Sequence, residues 1–115
     1  IKIIDYGTGN LKSVYNAFRY LGEDVKNARI RFDEGNRVTG FSGVGSSKDA
    51  LQELSSRDLV EPLVKWIGEG KPFLGICLGL QLLFEKSEES GGCECLKILP
   101  GSVIFFFKQK TAYEI

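Results

Sequence analysis

The stretch FLGICLGLQLLFE, residues 73–85, narrows what this chain can fold into more than any other. The continuous apolar run Phe73-Leu74-Gly75-Ile76 enters a cysteine, and a segment with helical character leaves it. A run of that kind is consistent with a strand buried on both faces. The glycines at 75 and 79 stand two residues either side of Cys77. This is the spacing of a nucleophile elbow, a sharp strand-to-helix turn in which flanking side chains would collide. Such a turn presents its central side chain at the carboxyl edge of a sheet, where open α/β folds bind ligands.

The rest of the chain supports that architecture. Residues 1–6 predict a short strand and residues 7–10 a glycine loop. Leu11, Val14, Tyr15, Phe18 and Leu21 then recur at helical spacing until Gly22 closes the stripe. Residues 23–36 scatter Val25, Ile30 and Phe32 among charges and end in a turn-like Asp33-Glu34-Gly35-Asn36. A second strand is predicted over residues 37–41, with 42–45 as a loop. Ser46 or Ser47 can cap a helix over 48–54. A further helix carries Leu59, Leu63, Trp66 and Ile67 on one face, with Pro62 in its first turn and Gly68 and Gly70 at its end. After the elbow, helix is predicted over 78–84, then strands over 96–99 and 103–106. The expected fold is α/β, an open, mostly parallel sheet with helices on both faces.

Composition excludes several classes of function. Fifteen basic residues balance fifteen acidic ones, and neither sign is concentrated in one stretch, so no nucleic-acid or anionic-membrane partner is expected. No apolar run approaches the roughly 20 residues of a spanning helix. The three cysteines are an odd number, and with no secretion signal they suggest a reducing, cytoplasmic setting. Cys93 and Cys95 form a CxC. A metal or redox pair is its functional reading, but two further ligands at suitable spacing are absent, so incidental cysteines are favoured and no metal or cofactor is expected. Gly7 and Gly9 begin a dinucleotide fingerprint whose third glycine position holds Lys12, which rejects that site.

At the elbow, the start of a helix would favour a Cys77 thiolate through its dipole and free N–H groups. The Leu78 N–H points where an oxyanion would form. The glycine-flanked Val44 is the candidate for a second donor, and losing one such donor typically costs about 100- to 1,000-fold in rate. Spacing alone also allows a small buried hydrophobe at position 77, and an ordinary polar residue at Gln81. The chain has no histidine to take the proton.

Three segments weight that choice toward chemistry: IDYGTGNLKSV at 4–14, GKPFLGICLGLQLLFEKSEE at 70–89 and LKILPGSV at 96–103. Their order and spacing resemble the class I glutamine amidotransferases. DYGTGN and LQLLFE point to the family of glutaminase subunits of imidazole glycerol phosphate synthase, enzymes of histidine biosynthesis. The resemblance implies that Cys77 attacks the side-chain amide of glutamine and that Gln81 and Gly45 help bind it. It implies an oxyanion hole built from Val44 and Leu78. It also places Asn10 toward a cyclase subunit that receives the ammonia, although a simple turn former is as good a reading of Asn10.

The chain departs from the family in three places. Ser42 replaces the usual proline before the oxyanion loop, Cys95 replaces a usual glycine, and the linker before Gly43 is short and polar. The family's triad histidine and glutamate lie beyond the matched segments. Residues 1–106 are therefore expected to be the N-terminal part of such a domain, truncated and nearly inert by itself, and the absence of an initial methionine suggests that the true start is missing. Residues 107–115 can be encoded by a string resembling a sequencing-library adapter and are expected to be a non-native tail. Two other readings of the elbow stay open: a thiol sensor using Cys77 without histidine, and a non-catalytic binding module.

Overall fold

In the computed structural model, residues 1–5, 11–28, 39–43 and 46–104 are described. Four strands run parallel in one sheet: β1 (Lys2–Ile4), β2 (Lys26–Ala28), β3 (Thr39–Gly43) and β4 (Phe73–Cys77). Their spatial order is β2-β1-β3-β4. The β1-to-β2 crossover carries helix α1 (Leu11–Tyr20), and the β3-to-β4 crossover carries α2 (Ser47–Ser56) and α3 (Val60–Gly68). These crossovers advance in opposite directions. Right-handed connections therefore put α1 on one face of the sheet and α2 with α3 on the other.

Local chemistry accounts for the helix ends. Ser46 caps α2, its Oγ accepting from the Asp49 N–H at 3.1 Å. At the end of α1, Glu23 N–H donates to Phe18 O at 3.1 Å and Gly22 N–H to Arg19 O at 3.0 Å. This paired closure needs a left-handed residue, which Gly22 supplies at φ +85°. Asp58 supplies it at the end of α2 with φ 54°.

The core lies on the α2/α3 face. Ile4, Ala50, Leu54, Leu59, Leu63, Leu78, Leu82 and Cys95 form one buried cluster, and Phe73 packs against it. Each fully buried leucine contributes roughly 1.5–3 kcal/mol. Trp66 ties α3 to the start of β4, its indole Nε1 donating to Pro72 O at 3.0 Å. The opposite face is less covered. Ile3 is fully buried, but α1 buries none of its side chains completely, and Leu21 is 72% exposed.

A second, three-stranded sheet follows the elbow. β5 (Lys86–Ser87) pairs antiparallel with β6 (Cys93–Glu94) and parallel with β7 (Ser102–Val103). Between β4 and this sheet lies the short helix α4 (Leu78–Gln81).

Several expectations are corrected. The strand expected over 37–41 continues through Ser42 and Gly43, which belong to β3 rather than to a loop, while residues 37–38 lie outside the described residues. An additional strand, β2, forms where no pattern announced one, held by its parallel register with β1. β4 is not buried on both faces: Phe73 packs against the α2/α3 core, whereas its neighbour Leu74, projecting to the other face, is 43% exposed. Helix after the elbow ends at Gln81 rather than Phe84, and residues 96–99 form no strand. These last two differences share a cause. Leu96, Lys97, Ile98 and Leu99 donate their N–H groups to the carbonyls of Leu82, Phe84, Leu83 and Leu83, at 2.7–2.9 Å. The segment wraps the exit of α4 and meets no strand, and Lys97 turns it with φ 57°. Among the described residues the last strand is Ser102–Val103, and the expected residues 105–106 and the 107–115 tail lie outside them.

Candidate functional site

The elbow forms where the sequence puts it. Cys77 ends β4 at φ 52°, ψ −116°. These are the angles of the first central residue of a type II′ turn, a position that favours glycine. A side-chain-bearing residue held there costs on the order of 1–3 kcal/mol, and such strain concentrates at functional sites. The thiol is exposed.

Gly75 shows why the motif needs glycine two residues before the bend. A Cβ there would stand 2.9 Å from Gly79 O and 3.0 Å from both Gly79 C and Leu80 Cα. All three are backbone atoms, so no rotamer change relieves the clash. The strand end and the helix start are folded against each other.

The side chains of Leu78 and Leu82 anchor α4 in the main core at 2% and 0% exposure. The anchoring is continued by the 96–99 wrap and by Glu85. Its N–H donates to Gly101 O at 3.0 Å, and its Oε2 accepts from Gly101 N–H at 3.0 Å. None of these supports is visible as a site motif. The family resemblance of LKILPGSV, in order after the elbow sequence, was the signal that pointed to this segment.

The predicted site residues are brought together in part. Leu78 is the first residue of α4, so its N–H has no acceptor four residues back within the helix, and it lies next to Cys77 in the chain. Gln81 is half-buried and is the last residue of α4, one turn beyond Leu78. Gly43 is the register partner of Cys77, so β3 delivers the chain to the elbow immediately before Val44. Neighbouring strands lie about 4.8 Å apart. Val44, Gly45 and Asn10 themselves lie outside the described residues. The dipole argument weakens, because α4 is a single turn rather than a full helix.

Chemically, the arrangement offers an exposed cysteine with a helix-starting backbone N–H next to it and a core-anchored helix behind it. Among the described residues, no group of three or more His, Cys, Asp or Glu could hold a metal ion. Among them, too, no helix is long and apolar enough to cross a membrane.

Comparison with known proteins places the chain in a family. A family model described as "Glutamine amidotransferase class-I" matches residues 2–111. The chain is 46% identical over 109 residues to the imidazole glycerol phosphate synthase subunit HisH of Caldanaerobacter subterraneus subsp. tengcongensis, covering 90% of this chain and 52% of that protein. It is 44% identical over 117 residues to the HisH subunit of Bacillus cereus, covering all of this chain and 54% of that protein. A solved structure titled "Crystal structure of glutamine amidotransferase" superposes with a TM-score of 0.75 at 20% identity, over 90% of this chain and 56% of that one, a likeness of fold. The chain thus spans about half the length of the HisH relatives it matches.

Proposed function

Since the chain belongs to the class-I glutamine amidotransferase family, we propose that it carries the nucleophile of a glutaminase serving imidazole glycerol phosphate synthesis in histidine biosynthesis. The Cys77 thiolate attacks the side-chain amide carbon of glutamine. The C=O bond opens to an oxyanion held by the N–H groups of Leu78 and Val44. Collapse breaks the C–N bond, the nitrogen takes a proton and leaves as ammonia, and a glutamyl thioester remains. Water hydrolyses the thioester to glutamate and returns the thiol. Gln81 and Gly45 hold the glutamine, and Asn10 faces a cyclase subunit that consumes the ammonia. The pair acts as a heterodimer in the cytoplasm.

The observation carrying this reading is the strained, exposed Cys77 at φ 52°, with Gly43 as its register partner. The chain contains no histidine, so on this reading none of these 115 residues is the histidine of the family's triad, whose acid–base role is worth about 100- to 10,000-fold in rate. Residues 107–115 are proposed to be a non-native tail, which codons unlike the adapter string would refute. The functional test is a glutaminase assay on the protein from the complete gene, with its cyclase partner. Ammonia release that Cys77→Ala abolishes supports the proposal. Equal release from Cys77→Ala contradicts it.

A further inference from the structure

The CxC at 93–95 takes no part in the chemistry above, and both of its cysteines pack on one cluster. Cys95 is 9% exposed and belongs to the main core cluster, while Cys93 is half-buried and packs against the same cluster. Residues two apart in extended chain project to the same side. The Cys95 Sγ lies 4.0 Å from the carbonyl oxygen of Cys93, so the thiol is turned back toward its partner. Neither sulfur is in a disulfide. Glu94 between them is exposed and pairs with Lys97 at 3.0 Å. The two thiols thus share one largely apolar patch, with the intervening charge held in solvent.

Independently of the glutaminase reading, we propose that Cys93 and Cys95 form a reversible dithiol–disulfide pair that reacts with hydroperoxides. The more exposed Cys93 attacks as thiolate. Its sulfur bonds to one peroxide oxygen, the O–O bond breaks, and the departing hydroxide takes a proton to become water. The resulting Cys93 sulfenic acid meets Cys95, whose sulfur gives up its proton and bonds to that of Cys93, expelling a second water. Two thiols are oxidised and one hydrogen peroxide is reduced to two waters. Burial first, then the neighbouring Cys93, push the Cys95 thiol up to about 11, which suits it to the resolving rather than the attacking role.

The bridge would be strained. Two residues of extended strand advance about 6.6 Å, close to the upper Cα separation of about 6.8 Å that a disulfide spans. Closing it shortens the segment and disturbs the Ser87–Cys93 register. Strained disulfides are the readily reduced ones. The strain also has a route to the elbow, because Cys95 N–H donates to Glu85 O and Leu96 N–H to Leu82 O, each at 2.9 Å, at the exit of α4.

Trypsin cleaves after Lys86 and Lys97, so residues 87–97 form one peptide holding both cysteines, while Cys77 falls in another. The protein from the complete gene is treated with hydrogen peroxide, its free thiols are blocked, and the digest is read by mass spectrometry. The expected 87–97 peptide is about 2 Da lighter, carries no blocking group, and regains two after dithiothreitol. Cys95→Ser is expected to trap Cys93 as a sulfenic acid captured by a 1,3-diketone, whereas Cys93→Ser leaves Cys95 a free thiol. A doubly blocked 87–97 peptide at peroxide levels that oxidise Cys77 would overturn the proposal. So would a bridge between two chains, or Cys93 oxidised to sulfinic acid with Cys95 still free.

Discussion

Replacing Gly75 by alanine adds one methyl group at the tightest point of the elbow. That carbon would stand 2.9 Å from Gly79 O and 3.0 Å from Gly79 C and Leu80 Cα, whereas relaxed carbon contacts lie at about 3.5–4.0 Å. The turn must open by roughly half an ångström or more to admit it. Because α4 is fixed by Leu78 and Leu82 in the core, opening the turn displaces both leucines. Overpacking of this kind costs about 1–3 kcal/mol, and burying one extra methyl returns at most about 0.8 kcal/mol. In the protein from the complete gene, each kcal/mol lowers Tm by about 2–4 °C for 150–250 residues. Gly68→Ala is the control, since its Cβ would meet nothing within 4 Å at the end of α3. Circular dichroism melts should show Gly75→Ala falling by several degrees and Gly68→Ala unchanged or slightly raised. The rate of Cys77 alkylation should change only in Gly75→Ala. Equal melting of Gly75→Ala and wild type would refute the crowding argument.

Cys77→Gly should be more stable than Cys77→Ala by about 0.5–2 kcal/mol in urea titration, because glycine relieves the strain at φ 52° at an entropic cost of about 0.5–1 kcal/mol; alanine proving the more stable would deny the strain. Cys95 contributes stability that is fully present below its unfolded-state value of 9.0 and lost as pH rises through about 11, because the unfolded chain ionises first. The urea midpoint should therefore fall between pH 9 and 11 in wild type and fall less in Cys95→Ala; identical pH profiles would contradict this. Ser47 Oγ is buried with no hydrogen-bond partner among the described residues, so Ser47→Ala should cost nothing and gain up to about 1 kcal/mol. A loss exceeding about 1 kcal/mol would reveal a partner.

The elbow was legible because its chemistry is local. A glycine whose Cβ would strike the next turn and a cysteine at the bend are fixed within a few residues of one another. The three longer helices were legible for the same reason: their apolar periodicity and their caps, Ser46 and Gly22, are written in sequence. β2 was not, because Lys26-Asn27-Ala28 carries no apolar pattern and becomes a strand only by pairing with Lys2–Ile4. The 96–99 segment has the apolar content of a strand, but its N–H groups go to the exit of α4. Only tertiary contact decides that. In the candidate site, Cys77, Leu78 and Gln81 share one turn and were found together. Gly43 was read as loop, although it is the last residue of β3 and the register partner of Cys77.

The most direct measurement treats the protein from the complete gene with a glutamine analogue bearing an electrophilic ketone, then maps the adduct by mass spectrometry. The account predicts one adduct, on the peptide containing Cys77, slowed by added glutamine and absent in Cys77→Ala. Labelling confined to residues 87–97, or a Cys77 adduct that glutamine does not slow, would contradict it.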